Sequence, residues 1–156
     1  MSRLIAGLAL AGIAGLWSWG LLTSKEPEPL PERYVGTYRL FRFEPPKGVR
    51  MDNPYDKQGQ ERFYTFSKDS TYAVSVKVMG GYEMDRVDGI VSVNRRGIME
   101  LRQVSHNLRA EPLEPDRYSV RFVHDPKGEV MVLTQVERRF ELYLRRVPEG
   151  AGPAAN

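Results

Sequence analysis

The sequence contains no cysteine among its 156 residues. This absence excludes disulfide bonds, thiolate metal ligands, a cysteine nucleophile and a lipid-acylated cysteine. Histidine is scarce as well: only His106 and His124 occur, and no third metal ligand stands at a recognisable spacing from them. The chain also lacks a nucleophile elbow around any serine and a glycine-rich phosphate loop. These absences predict no catalytic residue, no metal site and no cofactor, and they favour a protein that is not an enzyme.

The charged residues are numerous but mixed in sign. Lysine and arginine number 23 and aspartate and glutamate 20, which gives a net charge of +3 and a pI near 9.2. Both signs recur along the predicted strands, so the sequence lacks the focused basic face of a nucleic-acid-binding protein. We therefore expect no nucleic-acid partner. A weak attraction to anionic lipid headgroups fits the mild positive charge better.

A long apolar run lies near the amino terminus. Residues Leu4 to Leu22 read LIAGLALAGIAGLWSWGLL, and no charged residue falls between Arg3 and Lys25. A helix of about 20 residues, at about 1.5 Å per residue, crosses about 30 Å of hydrocarbon. The run therefore predicts one transmembrane helix, a signal anchor over residues 1–24, and the lipid bilayer as a partner.

Two tryptophans, Trp17 and Trp19, stand near the end of this run, where their amphipathic rings suit the membrane interface. The alternative is a cleaved signal peptide, for which Ser18 to Gly20 offers a small-x-small site. The apolar stretch is longer than the usual h-region of about 7 to 15 residues, so a retained anchor is favoured. Because long folded domains translocate largely regardless of charge, we expect the inner membrane, with the domain on the periplasmic side.

Small residues recur at every fourth position of the run, at Gly7, Ala11 and Gly15. This small-xxx-small spacing lets a second helix approach closely. Alanine and glycine are also common in such segments without any partner. The spacing nevertheless gives the clearest sequence indication of an integral membrane protein partner.

The rest of the chain divides by composition. Residues 25–33 form a proline-rich linker, which we expect to be extended and to hold the following domain off the bilayer. Residues 34–147 form one domain of suitable size for a single core. Residues 148–156 consist mostly of glycine, proline and alanine and are expected to be a disordered tail.

Within the domain, short runs of alternating apolar and polar residues predict about eight strands and no further helix. The predicted strands cover residues 34–43, 62–67, 71–79, 82–93, 98–104, 117–124, 129–136 and 140–145. Gly89 interrupts one of them and suggests a bulge or bend. Asp125 to Gly128, DPKG, predicts a tight hairpin turn. Closely spaced strands favour a mainly β fold, an antiparallel up-and-down barrel whose interior is filled by side chains or holds one small ligand.

Several of these segments resemble the bacterial lipocalin-like domain family. YVGTYRL, from Tyr34 to Leu40, is similar to the Gly-Thr-Trp/Tyr start of such domains, and FYTFSKDSTYAV is similar to their F-x-x-D-G-T-Y hairpin. The resemblance implies a small antiparallel barrel whose floor is closed by the aromatic after Gly-Thr, here Tyr38. Tyr38 stands where tryptophan is common, and Ser70 stands where the turn usually has glycine. Ligand transport does not follow from these motifs.

The alternation predicts which side chains point inward and which outward. We expect an interior lined by apolar and aromatic residues, among them Tyr38, Leu40, Tyr72, Val74, Tyr118, Phe122 and Phe140. Such a lining could hold a lipid or a pigment, although so many bulky aromatics favour a solid core. The outward apolar pair Met131 and Leu133 is predicted to form a docking surface.

Together these features favour a non-enzymatic, single-pass membrane-anchored accessory subunit. Its extracytoplasmic barrel would dock on and stabilise a membrane protein complex. The alternative is a membrane-tethered, lipocalin-like binder of a small hydrophobic ligand such as a lipid or pigment. A third hypothesis, an enzyme or stress factor that uses loop carboxylates, has the least support.

Overall fold

The structure is a computed structural model that describes residues 28–54, 59–78 and 81–148. The predicted transmembrane helix, with its packing residues Gly7, Ala11 and Gly15 and its interface residues Trp17 and Trp19, lies outside these residues. The tail from residue 149 also lies outside them. None of the helices within the described ranges is long and apolar enough to span a bilayer.

The described residues form one 3₁₀ turn and nine strands. The 3₁₀ turn is Glu32–Tyr34, and the strands are β1 (Gly36–Glu44), β2 (Gln60–Phe66), β3 (Thr71–Val78), β4 (Glu83–Val93), β5 (Ile98–His106), β6 (Arg109–Ala110), β7 (Asp116–Asp125), β8 (Gly128–Gln135) and β9 (Glu141–Arg146). These bounds agree closely with the eight predicted strands. The two-residue β6 was not predicted and lies between the predicted strands 98–104 and 117–124.

All pairings are antiparallel, and the sheet closes on itself. Strands β1 to β5 pair in sequence, β5 pairs with β7, β7 with β8 and β8 with β9, and β9 returns to β1. The short β6 only adds to the edge of β5. The domain is therefore a closed eight-stranded antiparallel barrel with consecutive connections, which confirms the predicted mainly β barrel.

Side chains fill most of the barrel interior. Buried aromatics and aliphatics from all eight barrel strands form one cluster, including Tyr38, Phe66, Val91, Met99, Leu142 and Leu144. Five of the predicted interior residues, Tyr38, Tyr72, Val74, Tyr118 and Phe140, belong to this cluster. Leu40 and Phe122 are partly buried against it. The interior is thus a packed core at the level of these residues.

Strand β8 corrects the predicted docking surface. Met131 and Leu133 are fully buried in the core cluster and do not face solvent. The register pairs Met131 with Phe122 and Leu133 with Val120, and directly paired residues of antiparallel strands share a face of the sheet. The predicted assignment of faces on β8 was wrong because both of its faces are apolar, so alternation alone does not reveal which one faces inward.

The other face of β8 is buried too. Val130 and Val132 point outward, yet both are almost completely covered. Their neighbours across the sheet are the long side chains of Arg121, Tyr143 and Arg145. The outer wall of the barrel therefore has a small second apolar layer, which arginine and tyrosine side chains cover.

The chain that precedes β1 closes one end of the barrel, called the base here. Leu30 and Tyr34 are buried, and the Tyr34 ring lies 5.7 Å from that of Phe122. The Leu30 N–H donates to the carbonyl of Lys68, and the Ser70 hydroxyl donates to that of Glu28. Residues 28–33, part of the predicted linker, thus pack on the barrel. The apolar Leu30 is buried there.

Tyr38 also contributes to the base. Its ring packs edge-on against Phe66 at 6.0 Å, and its hydroxyl lies 2.9 Å from an Arg146 guanidinium nitrogen. The predicted interruption at Gly89 is present as a register shift between Asp88 and Gly89. A Cβ at Gly89 would lie 2.2 Å from the carbonyl oxygen of Arg102, so the strand has no room for a side chain there.

Candidate functional site

The opposite end of the barrel is open and contains a small cavity. Its volume is about 160 Å³, and the lining combines tyrosines with charged and amide groups: Arg62, Tyr64, Tyr72, Val74, Val87, Leu101, Gln103, Leu113, Glu114, Asp116 and Tyr118. Pockets for drug-sized ligands usually measure about 300–1,000 Å³. This cavity is therefore smaller than such pockets and offers room for water or a small polar molecule.

Tyr72 forms part of the cavity wall and keeps its proton. Burial, followed by the nearby carboxylates of Asp116 and Asp88, raises the pKa of its hydroxyl to about 12. A phenol with such a pKa stays neutral throughout the physiological range and cannot act as a general base there. The cavity wall thus provides a neutral hydroxyl, which can donate or accept a hydrogen bond.

His106 lies at the rim of the open end, between two carboxylates. Its Nε2 is 2.6 Å from Asp85 Oδ1, and its Nδ1 is 3.0 Å from Glu111 Oε2. The hydrogen bond to Asp85, and more weakly that to Glu111, raise the pKa of His106 above its ordinary value. Both ring nitrogens can donate to carboxylates only in the imidazolium form, so the arrangement favours a charged ring that ties β4 to the segment after β6.

The two histidines of the chain are not brought together. His106 ends β5 at the open end, whereas His124 lies near the base end of β7, opposite Glu129. Over the three described ranges, no group of histidine and acidic residues could hold a metal ion. The turn after His124 is stabilised by Asp125, whose Oδ1 accepts the Lys127 N–H at 2.8 Å.

Apolar side chains crowd around the open end. Most of the large hydrophobic residues that are exposed lie in its loops or at the neighbouring strand ends: Val49, Met51, Tyr82, Met84, Val104, Leu108, Leu113 and Val136. Tyr82 is 76% exposed and Leu108 is 85% exposed. We call this group the apolar rim. Single exposed apolar residues are ordinary on a protein surface, but a group of them around one opening is typical of a contact surface.

A second and larger depression lies on the outer wall. It measures about 470 Å³, lies where β1, β2 and β9 meet, and is lined by Arg39, Phe41, Glu61, Phe63, Arg145, Arg146, Val147 and Pro148. We call it the outer groove. It combines an aromatic floor with guanidinium groups and is separate from the barrel interior.

The cations of the outer groove differ in how they are held. Arg39 forms an exposed ion pair with Glu61 at 2.8 Å. Arg145 lies 4.2 Å above the Phe41 ring and 3.1 Å from Asp125. Arg146 donates to the Val35 carbonyl at 2.9 Å and so is directed towards the base. Arg39 and Arg145 are therefore the guanidinium groups with the best access to a ligand in the groove.

Sequence reasoning found the interior residues but neither surface feature. The apolar rim is drawn from four separate loops or strand ends, and the outer groove combines β1 with the end of the last strand. Only the run RLFRF, from Arg39 to Phe43, with two arginines among apolar residues, gave a local signal for the groove. No protein-family model, curated protein or solved structure matches the chain.

Proposed function

We propose that this chain is a non-enzymatic, single-pass membrane-anchored accessory subunit whose barrel docks on a partner protein through the apolar rim. The observation that carries the proposal is the concentration of exposed apolar side chains around the open end. Three of the eight rim residues, Met51, Tyr82 and Met84, are of types enriched in protein interfaces. This surface replaces the pair Met131 and Leu133 as the docking site.

The anchor, the inner-membrane location and the periplasmic side are parts of this proposal and rest on the amino-terminal sequence. The described fold is compatible with them, because residues 28–34 pack across the base, where the Ser70 hydroxyl donates to the Glu28 carbonyl. In this arrangement the base faces the bilayer and the apolar rim faces away from it. The partner would then meet the barrel on its membrane-distal side.

A lipocalin-like relationship is likewise proposed. It is supported by the closed up-and-down barrel and by Tyr38, which lies at the base as the resemblance implies. The filled interior and the small cavity at the open end argue against a lipid or pigment carrier. In this proposal the function therefore lies outside the barrel interior.

The test is recovery of partners with the tagged full-length chain after mild detergent extraction of its native membrane, followed by mass spectrometry. Tyr82→Ser combined with Leu108→Ser removes two exposed apolar groups from the rim and should change stability little. We expect this variant to lose a stoichiometric partner by at least about tenfold, because central interface residues dominate binding energy.

The matched control is Ile90→Ser, which removes an exposed apolar side chain from the barrel wall. It should recover the partner as the unmodified chain does. A chain that is recovered alone, or a rim variant that retains its partner fully, would contradict the proposal. Recovery of the chain with a bound small apolar molecule instead would favour the carrier alternative.

A further inference from the structure

We propose that the outer groove binds the headgroup and glycerol region of an anionic phospholipid. The phosphate would interact with Arg39 and Arg145, and the glycerol carbons and the first methylene groups of the acyl chains would lie on Phe41 and Phe63. That a membrane lies close to the groove rests on the proposed membrane anchor. The chemistry by which the groove would bind the lipid does not depend on it. The cavity at the open end and the apolar rim take no part in this site.

The arginine side chains of the groove can exchange their present ion-pair partners for a phosphate. Arg39 and Glu61 are both about half exposed, and an exposed ion pair contributes little net stability. A phosphate can therefore replace the Glu61 carboxylate at Arg39 at small cost. Arg145 binds Asp125 through Nη2 and is about a quarter exposed, so the exposed part of its guanidinium can approach a phosphate. Guanidinium groups bind phosphate in bidentate fashion.

The floor of the groove explains why the ligand should be amphipathic. Phe63 lies opposite Arg39 on the outer face of the sheet and is not part of the core cluster, yet it is only 8% exposed. Phe41 is 42% exposed and carries the Arg145 guanidinium on its ring. An inorganic anion would use the arginines alone, whereas a phospholipid would also cover this aromatic surface.

The groove is also placed where a lipid can reach it. Its Val147 and Pro148 end lies beside the start of β1, since the Val147 N–H donates to the Thr37 carbonyl at 2.8 Å. This is the base end of the barrel, where residues 28–34 cross. In the proposed anchored arrangement, that end of the groove faces the bilayer surface.

The experiment uses the full-length chain in a neutral detergent and isothermal titration calorimetry. The probe is dihexanoylphosphatidylglycerol, with dihexanoylphosphatidylcholine and inorganic phosphate as comparison ligands. We expect saturable binding of the anionic lipid and weak binding of the other two. Arg39→Gln and Phe41→Ser should each weaken binding by at least about fivefold, because each removes one half of the recognition.

Arg102→Gln is the matched control, since Arg102 is an exposed arginine on β5, which does not border the groove. It should bind the lipid as the unmodified chain does. Equal affinity for the two lipids, inorganic phosphate that binds as tightly as phosphatidylglycerol, or an effect of Arg102→Gln equal to that of Arg39→Gln would each overturn the proposal. Loss of a protein partner in the rim variant would leave all these outcomes unchanged, so the two proposals fail separately.

Discussion

At the scale of single residues, His106 is a titratable group whose surroundings raise its pKa from a value near neutral pH. It is held by Asp85 on one nitrogen and Glu111 on the other, and Arg86 beside Asp85 is occupied by Asp88. The contacts favour the protonated ring in the folded protein. In the unfolded chain they are absent, and the ordinary histidine pKa near 6.5 applies.

The first prediction concerns pH. Because the folded pKa of His106 is raised above the unfolded value, its contribution to stability is complete below about pH 6.5 and is lost as the pH rises through the folded pKa. Asp85→Asn removes the strongest of the causes and should move the pKa back towards 6.5. NMR titration of the His106 ring in the full-length protein measures both values.

His106→Gln is the companion variant, since it should flatten the pH dependence of the unfolding midpoint above pH 6.5. A His106 pKa at or below 6.5 in the unmodified protein, or one that Asp85→Asn does not lower, would show that the ring is not held by these carboxylates.

Ser70 shows what a single sequence can and cannot indicate at this scale. Its backbone has a φ of 64°, the left-handed form that suits glycine, whereas the sequence places a serine there. The reason for a serine is non-local. Its hydroxyl donates to the Glu28 carbonyl 42 positions earlier in the chain, and so it holds the segment that closes the base.

At the scale of elements, β8 shows how turn chemistry fixes what hydrophobicity leaves open. The loop Pro126–Lys127 has two residues and is closed by the Asp125 and Gly128 pair. That pairing places Met131 opposite Phe122, so the two residues share the face of the sheet that packs in the core cluster. The DPKG turn was predicted correctly from the sequence, and the register of β7 and β8 follows from it. Hydrophobicity alone does not show which face of β8 points inward, because both faces are apolar.

The second prediction tests this face of β8. Met131→Ala should lower the free energy of unfolding by about 2–5 kcal/mol, because it leaves a cavity in a fully buried core position. Val136→Ala, in the turn that follows β8, removes a partly exposed side chain and should change it by less than about 0.5 kcal/mol. Urea unfolding followed by far-ultraviolet circular dichroism measures both. Equal, small effects of the two substitutions would mean that Met131 lies on the surface.

At the scale of the whole molecule, the fold places two different ends on one barrel. The base is closed by residues that precede β1, and the open end carries the apolar rim and the polar cavity. The barrel could be predicted because each strand has a regular alternating pattern and most strands pair with their neighbours in sequence. It could not predict the outer groove, since closure of the sheet joins β1 to β9 across more than 100 positions of the chain.

The last prediction concerns how the barrel stands on a membrane. The absence of cysteine allows one label to be placed at a time. Lys127→Cys labels the exposed hairpin at the base, and Leu108→Cys labels the apolar rim at the other end. A strand of eight to ten residues, at about 3.3 Å per residue, separates these positions by roughly 26–33 Å.

With the full-length chain reconstituted in vesicles that carry an acceptor dye on their headgroups, energy transfer should be clearly stronger from position 127 than from position 108. Unreconstituted protein mixed with the same vesicles controls for adsorption. Equal transfer from both positions would mean that the barrel lies on its side. Stronger transfer from position 108 would place the apolar rim in the bilayer, and the rim would then be a lipid contact and not a protein docking surface.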